Sequence, residues 1–487
     1  MEPIINEFKH NQIYIRQYIT QCLSQMTYYI ESEGKAVIID PMRDYYRYLE
    51  ILNDRKAELK YILMTHIHAD FVSSHIELQQ KTKAPIVYGP TAQVGYKTEI
   101  ASDGQILELG KIKIKIIHTP GHTNESSCFL LLDENLQEYC VFTGDTLFLG
   151  DVGRPDLCQN TVTTKELQAE KLYISLQNKI KTLNSKNIVF PAHGAGSSCG
   201  KNISDKTHDI LENQLQQNWA LQNNLTLDQF IINVTNITDP PIYYFYDAKI
   251  NKEGYTSQLD EIVKKSYVPL KPIEVKELLK NQNYLLIDCR KNSEFISEYI
   301  PYSLFLSLDM PFAQWIGCLV SPSQNIIILV PEDQEKAAIL RLARIGYENV
   351  KGFLKGGFQA WKKEGFEVKK GQNISSQDLV QKIQKNEKFT LLDVRKPQEL
   401  ESVGKIENSI NVELAILQKE LEKNNHLFNN NENLYIFCRS GVRSVVAYSI
   451  LEKFGYQNIV NVLGGFTDVS KFNIPQVIKG QCTANKA

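Results

Sequence analysis

A chain of 487 residues is longer than one hydrophobic core serves, and its length points to about three domains. Apolar residues at 43% and charged residues at 23% are ordinary for a globular protein, which excludes the fibrous and disordered classes. A formal charge of -2 offers no general attraction to nucleic acid or anionic membrane, so neither is an expected partner.

The amino terminus, MEPIINEFKHNQIYIRQ, lacks the basic-then-apolar pattern of a secretory signal, and no apolar run is long enough to cross a bilayer. Nine cysteines (Cys22, Cys128, Cys140, Cys158, Cys199, Cys289, Cys318, Cys438 and Cys482) are an odd number without a CxxC pair. That argues against a disulfide framework and against a zinc knuckle. A reducing, cytoplasmic setting is expected, with mitochondria the alternative in a eukaryote.

Short β-rich runs come first. Ala36–Asp40, Tyr61–Thr65, Lys111–His118, Tyr139–Gly144 and Asn187–Pro191 read as strands, and each of the last four runs into a loop bearing His or Asp. Polar groups therefore gather at one end of the strands, where a rigid scaffold can aim them. Residues 205–223 read as an amphipathic helix. Asp239-Pro240-Pro241 and the aromatic, turn-rich stretch to about residue 268 read as a wrapping linker.

Beyond the linker the chain repeats itself. Leu285-Leu286-Ile287-Asp288-Cys289-Arg290 matches Leu391-Leu392-Asp393-Val394-Arg395, and Asn325–Val330 matches Asn433–Cys438. Gly346–Val350 matches Gly455–Ile459, and Gly356-Gly357-Phe358 matches Gly464-Gly465-Phe466. Two similar small α/β domains follow, and Val330 stands in the first where Cys438 stands in the second.

The loop-end groups are His66, His68 and Asp70, then His122, Asp145 and His193. Any one alone is more simply a satisfied polar residue near a turn. The ordered set resembles the metallo-β-lactamase fold, which implies a four-layer αββα sandwich with metal at one sheet edge over residues 1–235. In the dinuclear hydrolases of that fold another histidine follows the loop aspartate, and here the residue is Phe71. Two imidazoles and one carboxylate from His66, His122 and Asp145 leave open coordination positions, a set that suits Fe(II), although zinc accepts it too.

The strings His66-Ile67-His68-Ala69-Asp70-Phe71-Val72, Phe142–Phe148 and Gly150–Leu157 resemble those of the persulfide dioxygenases. The resemblance implies one Fe(II) per chain on His66, His122 and Asp145. It also implies a small-molecule persulfide of glutathione or another low-molecular-weight thiol as substrate, and O2 as co-substrate. His68, Asp70 and His193 would then orient ligands or substrate. Arg154 and Asp156 form either part of the substrate wall or, more simply, an internal ion pair. His75 reads as surface or packing. Cys199 is either a small buried hydrophobe or a thiol near the substrate channel, and its Gly-flanked surroundings resemble dioxygenases fused to sulfurtransferase domains.

Leu434–Phe437 is a buried-strand pattern emptying into Cys438-Arg439-Ser440-Gly441-Val442-Arg443, with helical rhythm after it. A cysteine between strand end and helix start meets a fan of backbone N–H groups, and Arg439 and Arg443 add charge. All of these stabilise a thiolate or a persulfide anion. An inert buried cysteine would leave both arginines without partners. The Cys-x4-Arg ring fits one sulfur atom better than phosphate, and residues 371–487 resemble an active rhodanese domain. Residues 269–370, with Val330-Pro331-Glu332-Asp333 at this point, resemble a degenerate one, joined to the first domain by a linker at 236–268.

The expected fold is thus α/β multidomain, a metallo-β-lactamase sandwich followed by two rhodanese-like domains. The expected reaction converts persulfide to sulfite, and sulfite then takes the Cys438-bound sulfur to give thiosulfate. Two alternatives are a zinc thioester hydrolase of the glyoxalase II type and a non-oxidative sulfur carrier. Members of the fold commonly pair, so a homo-oligomer is expected.

Overall fold

The computed structural model describes residues 3–158, 163–472, 474 and 477–479. Period-two alternation builds its first two sheets. Seven strands, from Ile4–His10 to Glu99–Ile100, pair in chain order, antiparallel at first and parallel from Lys35–Ile39 onward. Six more form a second sheet in the order Asp209–Ile210, Ile188–Pro191, Glu138–Gly144, Ser127–Leu132, Ile112–His118, Ile106–Leu109.

The strand Ser127–Leu132 shows how the layers form. Phe129 and Leu131 join a core with Ile15, Ile30 and Val37 of the other sheet. Cys128, Leu130 and Leu132 face the opposite way, onto Ala169 and Leu172 of the helix Lys165–Ser175. Successive side chains in a strand point to opposite faces, so a strand buried on both sides reads as a continuous apolar run. Each fully buried leucine or phenylalanine contributes about 1.5–3 kcal/mol.

Strand direction positions the chemistry. Glu138–Gly144 and Ile188–Pro191 are parallel, so Asp145 and His193 leave at the same end. Glu58–Met64 delivers His66, and Ile112–His118 leads into the loop of His122.

The chain forms two compact units. One runs to Ile262 and includes Leu340–Glu348, and the other holds Val263–Ile339 and the chain from Asn349 onward. The second unit contains two five-stranded parallel sheets of one design. The first follows the order Pro269–Leu270, Val350–Leu354, Asn325–Leu329, Tyr284–Asp288, Leu304–Phe305. The second follows Asn373–Ile374, Ile459–Val462, Leu434–Phe437, Thr390–Asp393, Ile410–Asn411.

Two sequence readings change. Residues 205–223 are not one helix. The α-helix covers only Leu211–Gln217 and a single 3-10 turn follows at Trp219–Leu221. Asn218 breaks it, because its amide donates to the carbonyls of Phe148 and Asp151 and its side-chain oxygen accepts from Ala220 N. The stretch read as a turn-rich linker holds two helices, Ile242–Glu253 and Leu259–Ser266. Pro241 opens the first, where its missing N–H costs no hydrogen bond. No helix among the described residues is long and apolar enough to cross a membrane. The eight described cysteines are free thiols, and Cys482 lies outside the described residues.

Candidate active sites

The loop after Glu58–Met64 is held by Asp40, which ends a strand in a left-handed conformation (φ 51°). Its carboxylate accepts from Thr65 N at 2.8 Å and from Thr65 Oγ1 at 2.7 Å. The Thr65 hydroxyl hydrogen is thereby used, so its oxygen accepts from His66 Nδ1 at 2.9 Å, which assigns the lone pair to His66 Nε2. On His122 the Arg154 carbonyl accepts from Nδ1 at 2.8 Å, again leaving Nε2 as the free donor atom.

These two nitrogens converge on Asp145. Its Oδ2 lies 3.4 Å from His122 Nε2 and 4.0 Å from His66 Nε2, with all three residues buried. Burial, then His68, pushes His66 well below its usual value, and burial lowers His122. Burial would raise the Asp145 carboxyl, but His193, His66 and His122 outweigh it and hold it well below the carboxylate range. Neutral imidazoles beside an ionised carboxylate are the protonation states a metal requires. His122 Nε2 and Asp145 Oδ2 are buried without a hydrogen-bond partner, as ligand atoms facing a cation would be. The residues therefore fit a metal ion.

Gly153 explains the tight loop beyond Asp145. A Cβ there would sit 2.0 Å from the Asp145 carbonyl oxygen and 2.9 Å from His122 Nδ1.

The remaining predicted residues ring this group. Phe71 is fully buried and packs on His68, ring centroids 4.4 Å apart at 36°. His68 Nε2 lies 3.0 Å from Asp40 Oδ1. Burial lowers its pKa, but the Asp40 charge prevails and raises it. His193 is bonded at both ring nitrogens, Nδ1 to Asp145 Oδ1 and Nε2 to Asp70 Oδ2, each at 2.8 Å. Burial opposes its charge, yet Asp145 and Asp70 hold it well above the usual histidine value.

Cys199 lies beside this pair, and ligand atoms of Asp70, His193 and Cys199 all fall within 4.8 Å of one another. Its thiol is pushed well up by burial and sits 3.7 Å from the Tyr244 hydroxyl. Arg154 is an internal clamp. Its Nε and Nη2 donate to Asp156 at 2.6 and 2.7 Å, and it also donates to the carbonyls of Ser198 and Thr238. Arg154 reaches the site through its own carbonyl. His75 is fully buried, so it is a packing residue and not a surface one.

Sequence reasoning missed Asp40, Thr65 and, above all, Asn251. From the helix Ile242–Glu253, the Asn251 amide donates to the carbonyls of His68 at 2.8 Å and Phe71 at 2.6 Å, while its oxygen accepts from Ser73 N at 2.9 Å. The only signal for Asp40 was a carboxylate at a strand end. For Asn251 there was none.

The cysteine loop lies in the second unit. Leu434–Phe437 is buried throughout and ends at Cys438, itself buried. Gly441 adopts φ +92° and donates its N–H to Cys438 Sγ at 3.1 Å, while Ser444 Oγ lies 3.8 Å from the same sulfur. Phe466 N donates to the Cys438 carbonyl at 2.8 Å, and a Cβ on Gly465 would strike that oxygen at 2.4 Å. The helix Arg443–Lys453 starts here. Arg439 is exposed, but Arg443 is not without a partner: it donates to both oxygens of Glu399, at 2.6 and 2.7 Å. An inert cysteine would therefore not leave both arginines without partners, as the sequence reading held.

The model for the Metallo-beta-lactamase superfamily matches residues 20–193, and the model for the rhodanese-like domain matches 271–364 and 376–471. The chain carries a metallo-beta-lactamase domain followed by two rhodanese-like domains. A probable hydroxyacylglutathione hydrolase of Schizosaccharomyces pombe is 29% identical over 182 residues. A hydroxyacylglutathione hydrolase of Francisella tularensis subsp. novicida is 30% identical over 179 residues. In both cases the match covers 37% of this chain and 66% of the relative. A crystal structure of a metallo-beta-lactamase from Staphylococcus aureus subsp. aureus COL is 28% identical at a TM-score of 0.63, covering 71% of this chain and 99% of that one.

Proposed function

We propose that the metallo-beta-lactamase domain is an iron-dependent persulfide dioxygenase and that Cys438 is a sulfurtransferase nucleophile working on its product. A low-molecular-weight persulfide, of glutathione or a similar thiol, is oxidised by O2 with uptake of one water, giving free thiol, sulfite and protons. Sulfite then takes the sulfane sulfur carried on Cys438, giving thiosulfate.

The observation that carries this reading is Phe71. In the place of a second-metal histidine stands a fully buried aromatic ring packed on His68. His66, His122 and Asp145 would hold a single Fe(II), which would supply binding and activation of the persulfide and O2. The chain's own residues keep those ligands in place. The Arg154 carbonyl fixes the ring of His122, the Asp40–Thr65 pair fixes that of His66, and His193 bridges Asp145 to Asp70. At the second site Gly441 N–H and the start of the Arg443–Lys453 helix favour an anionic sulfur on Cys438. Joining the two sites in one chain raises the local concentration of sulfite.

A second reading, a zinc thioester hydrolase, is favoured by the identity with hydroxyacylglutathione hydrolases and by the Asp70–His193–Cys199 group as a further metal position. Anaerobic metal analysis followed by an oxygen-electrode assay with glutathione persulfide separates them. One iron per chain and oxygen uptake are expected. Two zinc ions, or thioester cleavage undiminished without air, would replace the dioxygenase reading with the hydrolase.

A further inference from the structure

A cysteine with an arginine at its sulfur lies in the first unit, in the turn between the strands Ile13–Thr20 and Gln25–Ser32. Cys22 is half-buried there, and its Sγ accepts from Arg344 Nη1 at 3.3 Å. Arg344 is buried and also donates through Nε to the Asp44 carboxylate, at 3.1 Å to Oδ2. Arg47 pairs with the same carboxylate. Thr20, Cys22, Arg47, Arg341 and Arg344 line one small pocket, and no carboxylate is among its described lining residues.

Arg47 and Thr20, which both line this pocket, each carry a polar side-chain atom without a hydrogen-bond partner among the described residues, Arg47 Nη1 and Thr20 Oγ1. The Arg47 side chain is 10% exposed and Thr20 4%, so bulk water does not satisfy them. A buried guanidinium N–H left unpaired beside an unpaired hydroxyl favours an electron-rich atom in contact with both. The gap is about 10 Å3, room for one water-sized atom. One atom added to Cys22 Sγ is of that size. Cys158 and Cys318, the other half-buried thiols, are pushed up by burial to about 12 and about 11 and have no arginine hydrogen-bonded to sulfur among the described contacts.

We propose that Cys22 is a sulfane-sulfur acceptor that becomes a persulfide. Its thiolate attacks the outer sulfur of a low-molecular-weight persulfide, forming a new S–S bond as the donor's S–S bond breaks. The carrier thiolate leaves and takes up the proton of the donor's outer sulfur. Cys22 retains a terminal persulfide anion against Arg47 Nη1 and Thr20 Oγ1. No external oxidant or reductant is consumed. The donor rests on the persulfide reading above. The site is tied to the metal loop, because the Arg344 carbonyl accepts from Val72 N at 2.7 Å.

The test uses the reduced full-length protein, treated with glutathione persulfide without air, alkylated and peptide-mapped by mass spectrometry. One added sulfur atom is expected on Cys22 and none on Cys158 or Cys318. Arg47→Gln should lower that labelling about tenfold, as loss of a charge-assisted hydrogen bond does. Thr20→Val, which keeps the ion pairs, should lower it in the same direction. An unlabelled Cys22, equal labelling of Cys158 and Cys318, an added oxygen in place of sulfur, or labelling unaffected by both variants overturns the proposal. Oxygen uptake in the same preparation reports separately on the dioxygenase reading, since it does not require Cys22 to load.

Discussion

The two rhodanese-like domains share one frame and differ at one loop. In each, an arginine two residues past a strand-end aspartate folds back onto it: Arg290 Nη2 to Asp288 and Arg395 Nη2 to Asp393, both at 2.6 Å. Each guanidinium stacks on a phenylalanine 4.0 Å away, Phe358 or Phe466. Even the turn is kept, for Asp333 (φ 63°) adopts the left-handed conformation that Gly441 (φ 92°) adopts opposite it. What changes is the chemistry on the loop. Cys438 becomes Val330, Arg439 becomes Pro331, and Arg443 becomes Glu335. The frame thus survives without a nucleophile, and its buried Asp-x-Arg pair is architectural in both copies.

The largest effect should come from Cys438→Ser. Thiosulfate formation from persulfide and sulfite should fall on the order of 10^4-fold or more, with oxygen uptake unchanged and sulfite accumulating instead. Undiminished thiosulfate from the variant would erase the distinction between the copies. Next come Arg290→Ala and Arg395→Ala, each stranding a buried carboxylate. Each should destabilise its domain by about 3–5 kcal/mol in denaturant unfolding. A large loss in one copy only would show that the pair serves chemistry there. Arg443→Gln should cost about tenfold in sulfur transfer, because a cation near the anionic sulfur is lost. No change in rate would mean that its charge is fully taken up by Glu399. The smallest effect is expected from Val330→Cys, which should carry no measurable sulfur. Glu332, Asp333 and Glu335 repel an anion, and Pro331 has no N–H to offer. Transfer activity from that single change would sink the view that the loop, and not the cysteine alone, makes the site.

Much of this was legible because strand ends and repeats are local patterns. An apolar run followed by His or Asp marks where a loop leaves a sheet, and His66, His122, Asp145 and His193 come together from such loop ends. The Cys438 loop was readable for the same reason. What stayed hidden depends on partners far away in sequence. Glu399 satisfies Arg443 across 44 positions, and Asn251 holds the His68 and Phe71 carbonyls across 183 and 180. A single side chain pairing with a distant backbone leaves no periodicity to read. The helix Ile242–Glu253 was hidden differently: Ile242-Tyr243-Tyr244-Phe245-Tyr246 after two prolines has strand-like propensity, which tertiary packing overrides.

The Asn251 clamp has a practical corollary for anyone wishing to isolate the metallo-beta-lactamase domain. A fragment stopped at residue 235 would lose the amide that ties down the loop between the metal ligands and Ser73, leaving two carbonyls and one N–H to find water. Extending the piece through Ile262 restores that bracket, yet still omits Arg344, whose carbonyl receives Val72 N and whose guanidinium grips Asp44. No single cut releases this unit whole, since the chain returns to it after a detour of 77 residues.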